Sequence, residues 1–151
     1  MRTLHYLMTI QEKYQRFKGL QKDLDICGMD SMRDTQKEFL DYNKEQMLSG
    51  EGNDGQAMGE YALPWYADKK FKMNPRADGN VDLYLTGSFQ AGMFMDISAK
   101  NYVIKSTDGK TAKLLGWYPN AFGLNKENLD EYRNGVFFDA FMKRVRRQVN
   151  G

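Results

Sequence analysis

Leu85-Thr-Gly-Ser-Phe-Gln-Ala-Gly-Met-Phe-Met95 reads as a glycine-hinged reversal between two apolar segments. Ahead of it, Val81-Asp-Leu-Tyr-Leu85 alternates in the manner of a half-buried strand. Gly87 lacks a Cβ and so permits a sharp reversal after that strand. Thr86 or Ser88 can cap a short helical turn, and Phe89 returns to the core. Met93-Phe-Met-Asp-Ile97 then reads as a second strand. The glycines of this stretch do not make a phosphate loop, because no Lys-Ser/Thr follows Gly92. Its residues therefore speak for folding rather than chemistry.

Toward the C-terminus, Tyr102-Val-Ile-Lys105 reads as a further strand. Thr107-Asp-Gly-Lys110 reads as a hairpin turn, with Thr111 to Leu115 returning beside it. Asn125 is an N-cap, Glu127 sits in the first helical turn, and Leu124 and Leu129 are placed as a hydrophobic staple. Asn134-Gly135 should break or kink that helix. Val136, Phe137, Phe141, Val145 and Val149 then share one face, with Lys143, Arg144, Arg146 and Arg147 clustered at the last turns.

Toward the N-terminus, residues 59–79 mix aromatics and lysines around Pro64 and Pro75, and read as a long central loop. Glu51-Gly-Asn-Asp-Gly55 is a polar turn. A helix is expected over residues 34–48, opened by a Thr35/Glu38 capping box and stopped by Ser49-Gly50. The first segment carries Leu4, Leu7, Ile10, Tyr14, Phe17, Leu20 and Leu24 at steps of three and four, a narrow helical stripe ending at Cys27-Gly28. The expected class is α+β, a small antiparallel sheet packed by N-terminal and C-terminal helices. Residues 1–30 form a helical extension and 31–151 a single domain.

With 151 residues and 41% apolar content, the chain can fill one core without a staple. Twenty-two basic residues against 20 acidic leave a formal charge of +2, too balanced for a polybasic arm or an acidic solvating protein. One cysteine, Cys27, makes no internal disulfide, and one histidine, His5, is too little for a zinc site. No apolar run reaches the roughly 20 residues that span a bilayer. The opening residues show no signal-peptide core, so synthesis inside the cell and no membrane partner are expected.

Catalytic constellations are missing. His5 sits on an amphipathic helix with no nucleophile to serve, and Cys27 has no neighbouring His or CxxC partner. Asp82 and Asp96 are the strand carboxylates that could converge on a metal, a weak candidate pair. The expectation is a non-enzyme with no cofactor and no resident metal. Two groups point to binding instead. Tyr61, Trp65, Tyr66 and Phe71 lie among Lys69, Lys70 and Lys72, a mixture suited to protein contacts or to stacking on bases. Lys143, Arg144, Arg146 and Arg147 could face phosphates.

The Leu85–Met95 stretch, with its Leu-Thr-Gly-x-Phe core of Leu85, Thr86, Gly87 and Phe89, resembles the (D/L)-T-G-x-(L/F) region of tailed-bacteriophage tail-completion and head–tail connector proteins. The order of features around it is similar too. A helix ending Tyr42-Asn-Lys-Glu-Gln-Met-Leu48 precedes a Gly/Asp loop and Gly59-Glu-Tyr61. A hairpin about Asp108-Gly109, the run Asn120 to Tyr132 and a basic closing helix follow. The chain looks like small virion proteins of phages and prophages from gut Bacteroidetes, from Asp41 to its C-terminus. The resemblance implies a structural virion protein, made in the host cytoplasm and located in the neck or tail top. It would form a homo-oligomeric ring that joins head to tail through portal, adaptor or tail-tube proteins, with transient contact to packaged DNA. Leu7, Tyr14, Tyr61, Trp65, Tyr66 and Phe71 are the expected interface residues. The alternative is a nucleic-acid-binding accessory protein using the aromatic–lysine segment and the basic final turns.

Overall fold

The computed structural model describes residues 9–150 of the chain. Among the described residues there are seven α-helices and one two-stranded sheet, an α+β fold. Helix α1 spans Ile10–Asp34 and opens on a capping box. Thr9 Oγ1 accepts the Glu12 N–H at 3.2 Å, and Glu12 Oε2 accepts the Thr9 N–H at 2.8 Å. The helix does not stop at Cys27-Gly28, and it crosses the boundary expected at residue 30 without a break. A mid-helix glycine costs only about 1 kcal/mol against alanine. Cys27 and Ser31 on either side of Gly28 are buried, and the C-terminal helix packs along α1. Packing outweighs the weak local stop signal.

Helix α2 spans Gln36–Leu48. Its expected capping box is not formed, because Thr35 is used differently. The Thr35 hydroxyl donates to the Ser31 carbonyl at 2.8 Å and sits 2.7 Å from the Tyr132 hydroxyl. A buried tertiary contact has displaced a local one. Phe39, Leu40 and Met47 enter the core, while buried Asn43 and Gln46 reach the loop before the last helices. Asn43 Nδ2 donates to the Ala121 carbonyl at 3.0 Å, and Gln46 Oε1 accepts the Asn125 N–H at 2.8 Å. Gly50 closes α2 at φ 76°, and an added Cβ there would meet Asn80 at 2.9 Å.

The stretch expected as a long loop holds helix α3, Pro64–Met73. Pro64 takes the first helical position, where a missing N–H costs nothing, and Pro75 follows the end. Both prolines punctuate a helix rather than interrupt a loop. A short 3₁₀ turn, Pro75–Ala77, leads on.

Residues 81–85 are not a strand. They are extended only in part, since Leu83 adopts a left-handed φ of 53°. The nearest pairing is an isolated bridge between Glu60 and Asn80. Helix α4, Ser88–Ala91, follows Gly87 at φ 79°. Strands β1, Met93–Ile97, and β2, Tyr102–Ser106, pair antiparallel from Met93 opposite Ser106 to Ile97 opposite Tyr102. Met93 and Met95 point into the core and Phe94 and Asp96 away from it. The turn between the strands is Ser98 to Asn101, not Asp108-Gly109.

Asp108 instead starts a helix, α5, Thr111–Trp117, where a returning strand was expected. Its carboxylate accepts the Lys110 N–H at 2.8 Å, and its carbonyl accepts the Thr111 N–H at 3.0 Å. Ala112, Lys113, Leu114 and Leu115 are all strong helix formers. Helix α6, Lys126–Tyr132, begins at Asn125, whose side chain accepts the Asn128 N–H at 2.9 Å. Leu124 and Leu129 both reach the core. At Arg133–Phe137 the chain makes a π turn around the expected break at Gly135, and helix α7, Phe138–Asn150, completes the fold. Phe39, Met47, Val81, Phe89 and Tyr132 centre the core. Phe39 and Tyr132 meet edge to face at 5.1 Å.

Candidate binding cleft and exposed faces

Helix α3, the 81–89 segment and helix α5 enclose a cleft of about 280 Å³. Val81, Phe89 and Leu114 belong to its lining, and Tyr61, Tyr66, Tyr84, Trp117 and Tyr118 bring five aromatic rings to it. Thr86, Ser88, Asp108 and Lys110 add the polar groups. The Leu-Thr-Gly-x-Phe motif and part of the aromatic–lysine segment thus meet at one place. Gly87 is required there on two counts. Its φ of 79° suits glycine, and an added Cβ would stand 3.0 Å from the Tyr84 ring. Phe89 is buried and stacks on Phe122 with centroids 5.4 Å apart. Thr86 Oγ1 accepts the Ser88 N–H at 3.4 Å, which helps form the turn.

Beside the cleft lies a buried ion pair. Lys70 Nζ stands 2.8 Å from Asp82 Oδ1, with the two side chains 3% and 1% exposed. Lys70 also donates to the Tyr84 carbonyl. Asp82 accepts further bonds from the Tyr61 hydroxyl at 2.9 Å, Asn74 Nδ2 at 2.9 Å and the Tyr84 N–H at 3.0 Å. Burial pushes the Asp82 carboxyl up, but the bonds from Lys70, Asn74, Tyr84 and Tyr61 outweigh it and hold the acid below its ordinary 3.8. Burial above all pushes the Tyr61 phenol well over its ordinary 10. The Asp82–Tyr84 bond fastens the backbone on both sides of left-handed Leu83.

Several expected site residues are placed differently from one another. Tyr61 is half-buried and its hydroxyl is engaged by Asp82, so it serves the fold. Tyr66 is half-buried against both Tyr61 and Trp65, while Trp65 and Phe71 are exposed. Tyr14 is exposed on α1, and Leu7 lies outside the described residues, as does His5. Asp82 and Asp96 do not converge. Asp82 belongs to Lys70, and Asp96, outward on β1, pairs with Lys105 at 2.5 Å. Among the described residues no group of three or more His, Cys, Asp or Glu side chains could hold a metal. No helix there is long and apolar enough to cross a membrane.

The basic cluster also divides. Arg144 turns toward α1 and pairs with Asp34 at 2.7 Å and Asp30 at 3.5 Å. Lys143, Arg146 and Arg147 stay exposed around a shallow hollow that also includes Asp139. On α1, every residue from Ile10 to Gly19 is exposed. Ile10 is 88% exposed and Phe17 64%, and with Tyr14 and Leu24 they line an open groove flanked by Lys13 and Lys18.

The ion pair and the α3 wall were missed in the sequence. The signal that could have found them is Pro64 at a first helical position, since a helix from there puts Tyr66 and Lys70 one turn apart on one side. Comparison with protein-family models, curated proteins and solved structures returns no match.

Proposed function

We propose that this chain is a structural virion protein of a phage neck or tail top. In this reading it is a ring subunit that joins the head or portal to the tail through protein–protein contacts. The observation that carries it is the start of α1, where Ile10, Tyr14 and Phe17 stand at helical spacing, all exposed among the described residues. A row of large apolar side chains in water is what a subunit shows before its neighbours cover it. A ring needs a head-to-tail contact that closes by rotation, which one projecting helix stripe can supply to the next copy. The Leu-Thr-Gly-x-Phe motif and the basic closing helix support the phage assignment. The strand expected over residues 81–85 and the hairpin expected about Asp108-Gly109 do not form and so add nothing to it.

The test is the mass of the purified protein by sedimentation equilibrium, paired with a protein inventory of purified phage particles. A closed oligomer, and stoichiometric presence in mature particles, are expected. A monomer at every concentration, found in infected-cell lysate and never in particles, overturns the reading. The nucleic-acid alternative draws on exposed Lys143, Arg146 and Arg147. It requires DNA binding that weakens steeply with salt, and Arg144, held by Asp30 and Asp34, is subtracted from its contacts.

A further inference from the structure

The aromatic cleft has a lopsided hydrogen-bonding chemistry. The carboxylates at and beside it already accept bonds among the described residues. Asp82 receives Lys70, Tyr61, Asn74 and the Tyr84 N–H, and Asp108 receives the Ser88 hydroxyl at 2.5 Å and the Lys110 N–H at 2.8 Å. Among the described residues, the hydroxyls of Tyr66, Tyr84 and Tyr118, the Trp117 indole N–H and the Lys110 ammonium have no hydrogen-bond partner in the fold. Trp117 and Lys110 can only donate, whereas the tyrosine hydroxyls donate or accept, so a ligand rich in acceptors suits the cleft. At about 280 Å³ the cleft is at the small end of ligand pockets and takes one or two compact groups at a time.

Three chemistries lay rings or ring-like groups on aromatic walls. A saccharide carries as many hydroxyl donors as acceptors, and the donor-only Trp117 and Lys110 match it less well than a ligand that brings acceptors alone. A single-stranded nucleic acid brings acceptors as phosphates and needs a positive field. At the cleft Asp108 opposes Lys110 and Asp82 cancels Lys70, which leaves Lys113 beside Trp117 as a single positive charge where a backbone of phosphates needs several. A polyproline II peptide brings outward carbonyl acceptors and no N–H at its prolines. Its pyrrolidine rings pack on Tyr and Trp faces.

We propose that the cleft is a docking site for an extended, proline-containing segment of a partner polypeptide, whose carbonyl groups take the spare donors of Tyr84, Lys110, Trp117 and Tyr118. The walls are set before the ligand arrives. The Tyr84 ring packs on Gly87, and Lys113 stands 4.7 Å from the Trp117 ring centroid. Leu83 and Tyr84 are fixed in turn by the Lys70–Asp82 pair. This site is separate from the α1 stripe. A monomeric protein that binds the peptide keeps this proposal and loses the ring, and a ring that ignores the peptide does the reverse.

The experiment titrates the full chain into fluorescein-labelled decaproline and follows anisotropy, with a glycine–serine decapeptide, maltotriose and a ten-residue oligothymidylate as competitors. Saturable binding of decaproline is expected, with none of the three displacing it. Trp117 is 62% exposed, so Trp117→Ala should remain folded and weaken binding about tenfold or more, as loss of an aromatic anchor does. Tyr118→Phe keeps the ring and removes one donor, for a loss of about threefold to fivefold. Phe94→Ala, on the outward face of β1 and away from the cleft, should bind as the parent does. Absence of saturable binding overturns the proposal, as does parent-like binding by both Trp117→Ala and Tyr118→Phe. Displacement by maltotriose or the oligothymidylate overturns it in favour of that chemistry.

Discussion

Tyr14, Phe17, Lys13 and Lys18 on α1 are the same kinds of side chain as Tyr61, Tyr66 and Lys70 around α3, yet the first group stands in solvent and the second turns inward. Composition does not separate them, and neither does helical spacing. What differs is an acceptor delivered from elsewhere in the chain. Asp82 arrives beside α3 with its carboxylate directed at Lys70 and Tyr61, and the ammonium can leave water because a counter-charge waits for it. No acidic group takes Lys13 or Lys18 among the described residues, and their aromatic neighbours stay out with them. The fate of an aromatic–lysine segment is decided by its partner, not by itself.

Removing that partner is the strongest way to break the contrast. Asp82→Ala leaves the Lys70 ammonium buried without a counter-charge, and stability should fall by about 3–5 kcal/mol. A shifted urea midpoint at unchanged slope would report it. Lys70→Met combined with Asp82→Leu should recover part of the loss, because the unpaired charge is gone while the Tyr61, Asn74 and Tyr84 donors still lack Asp82. A double variant as unstable as the single would show that the two groups do not act as a pair.

Acid probes the same contact without mutation. The Asp82 carboxyl is held below its ordinary 3.8 in the folded chain, so it binds a proton less readily there than when unfolded. A group lowered in this way stabilises above its unfolded value and loses that contribution as pH falls through the folded one. Thermal melting should therefore hold from neutrality to about pH 4 and decline below it, less steeply in the double variant than in the parent. Equal slopes would place the acid sensitivity elsewhere.

Gly87→Ala is the next smaller perturbation. A side chain forced to φ 79° costs about 1–2 kcal/mol, and the new methyl also presses on the Tyr84 ring. A lowered melting temperature is expected, and an unchanged one would mean the turn can move. Phe17→Asp should do least to the folded monomer, within about 0.5 kcal/mol, since that ring is in water already. Sedimentation should nonetheless lose the oligomer. A variant that unfolds instead would mean that the α1 stripe is covered within its own chain.

Some of this architecture is legible in the residues and some is not, for reasons that differ by element. Asn125 announces α6 because a cap acts locally, and Leu124 and Leu129 confirm its direction. The β1 strand is likewise plain from its Met93/Met95 alternation. Thr35 misleads because its hydroxyl serves Ser31 and Tyr132, the latter 97 positions away. Asp108-Gly109 misleads because the same turn chemistry that closes a hairpin also starts a helix, and Ala112 to Leu115 choose the helix. At the cleft, Gly87 and Phe89 are readable as turn and core. Lys70 is not readable as a buried cation, since nothing in Lys69-Lys70-Phe71-Lys72 distinguishes it until α3 places it opposite Asp82.

The π turn at Arg133–Phe137 bears on how this chain can change over evolutionary time. A wide turn holds one residue more than regular helix needs, so deleting Asn134 or Gly135 would let α6 and α7 fuse into an uninterrupted rod. Nothing local would be lost by that. Each residue of helix turns through about 100°, so all 13 residues of α7 would swing by that angle about their axis. Arg144 would leave Asp30 and Asp34, and the face now packed on α1 would turn aside. A single-codon deletion at a solvent-exposed glycine, ordinarily among the mildest of changes, would here re-aim the entire end of the protein.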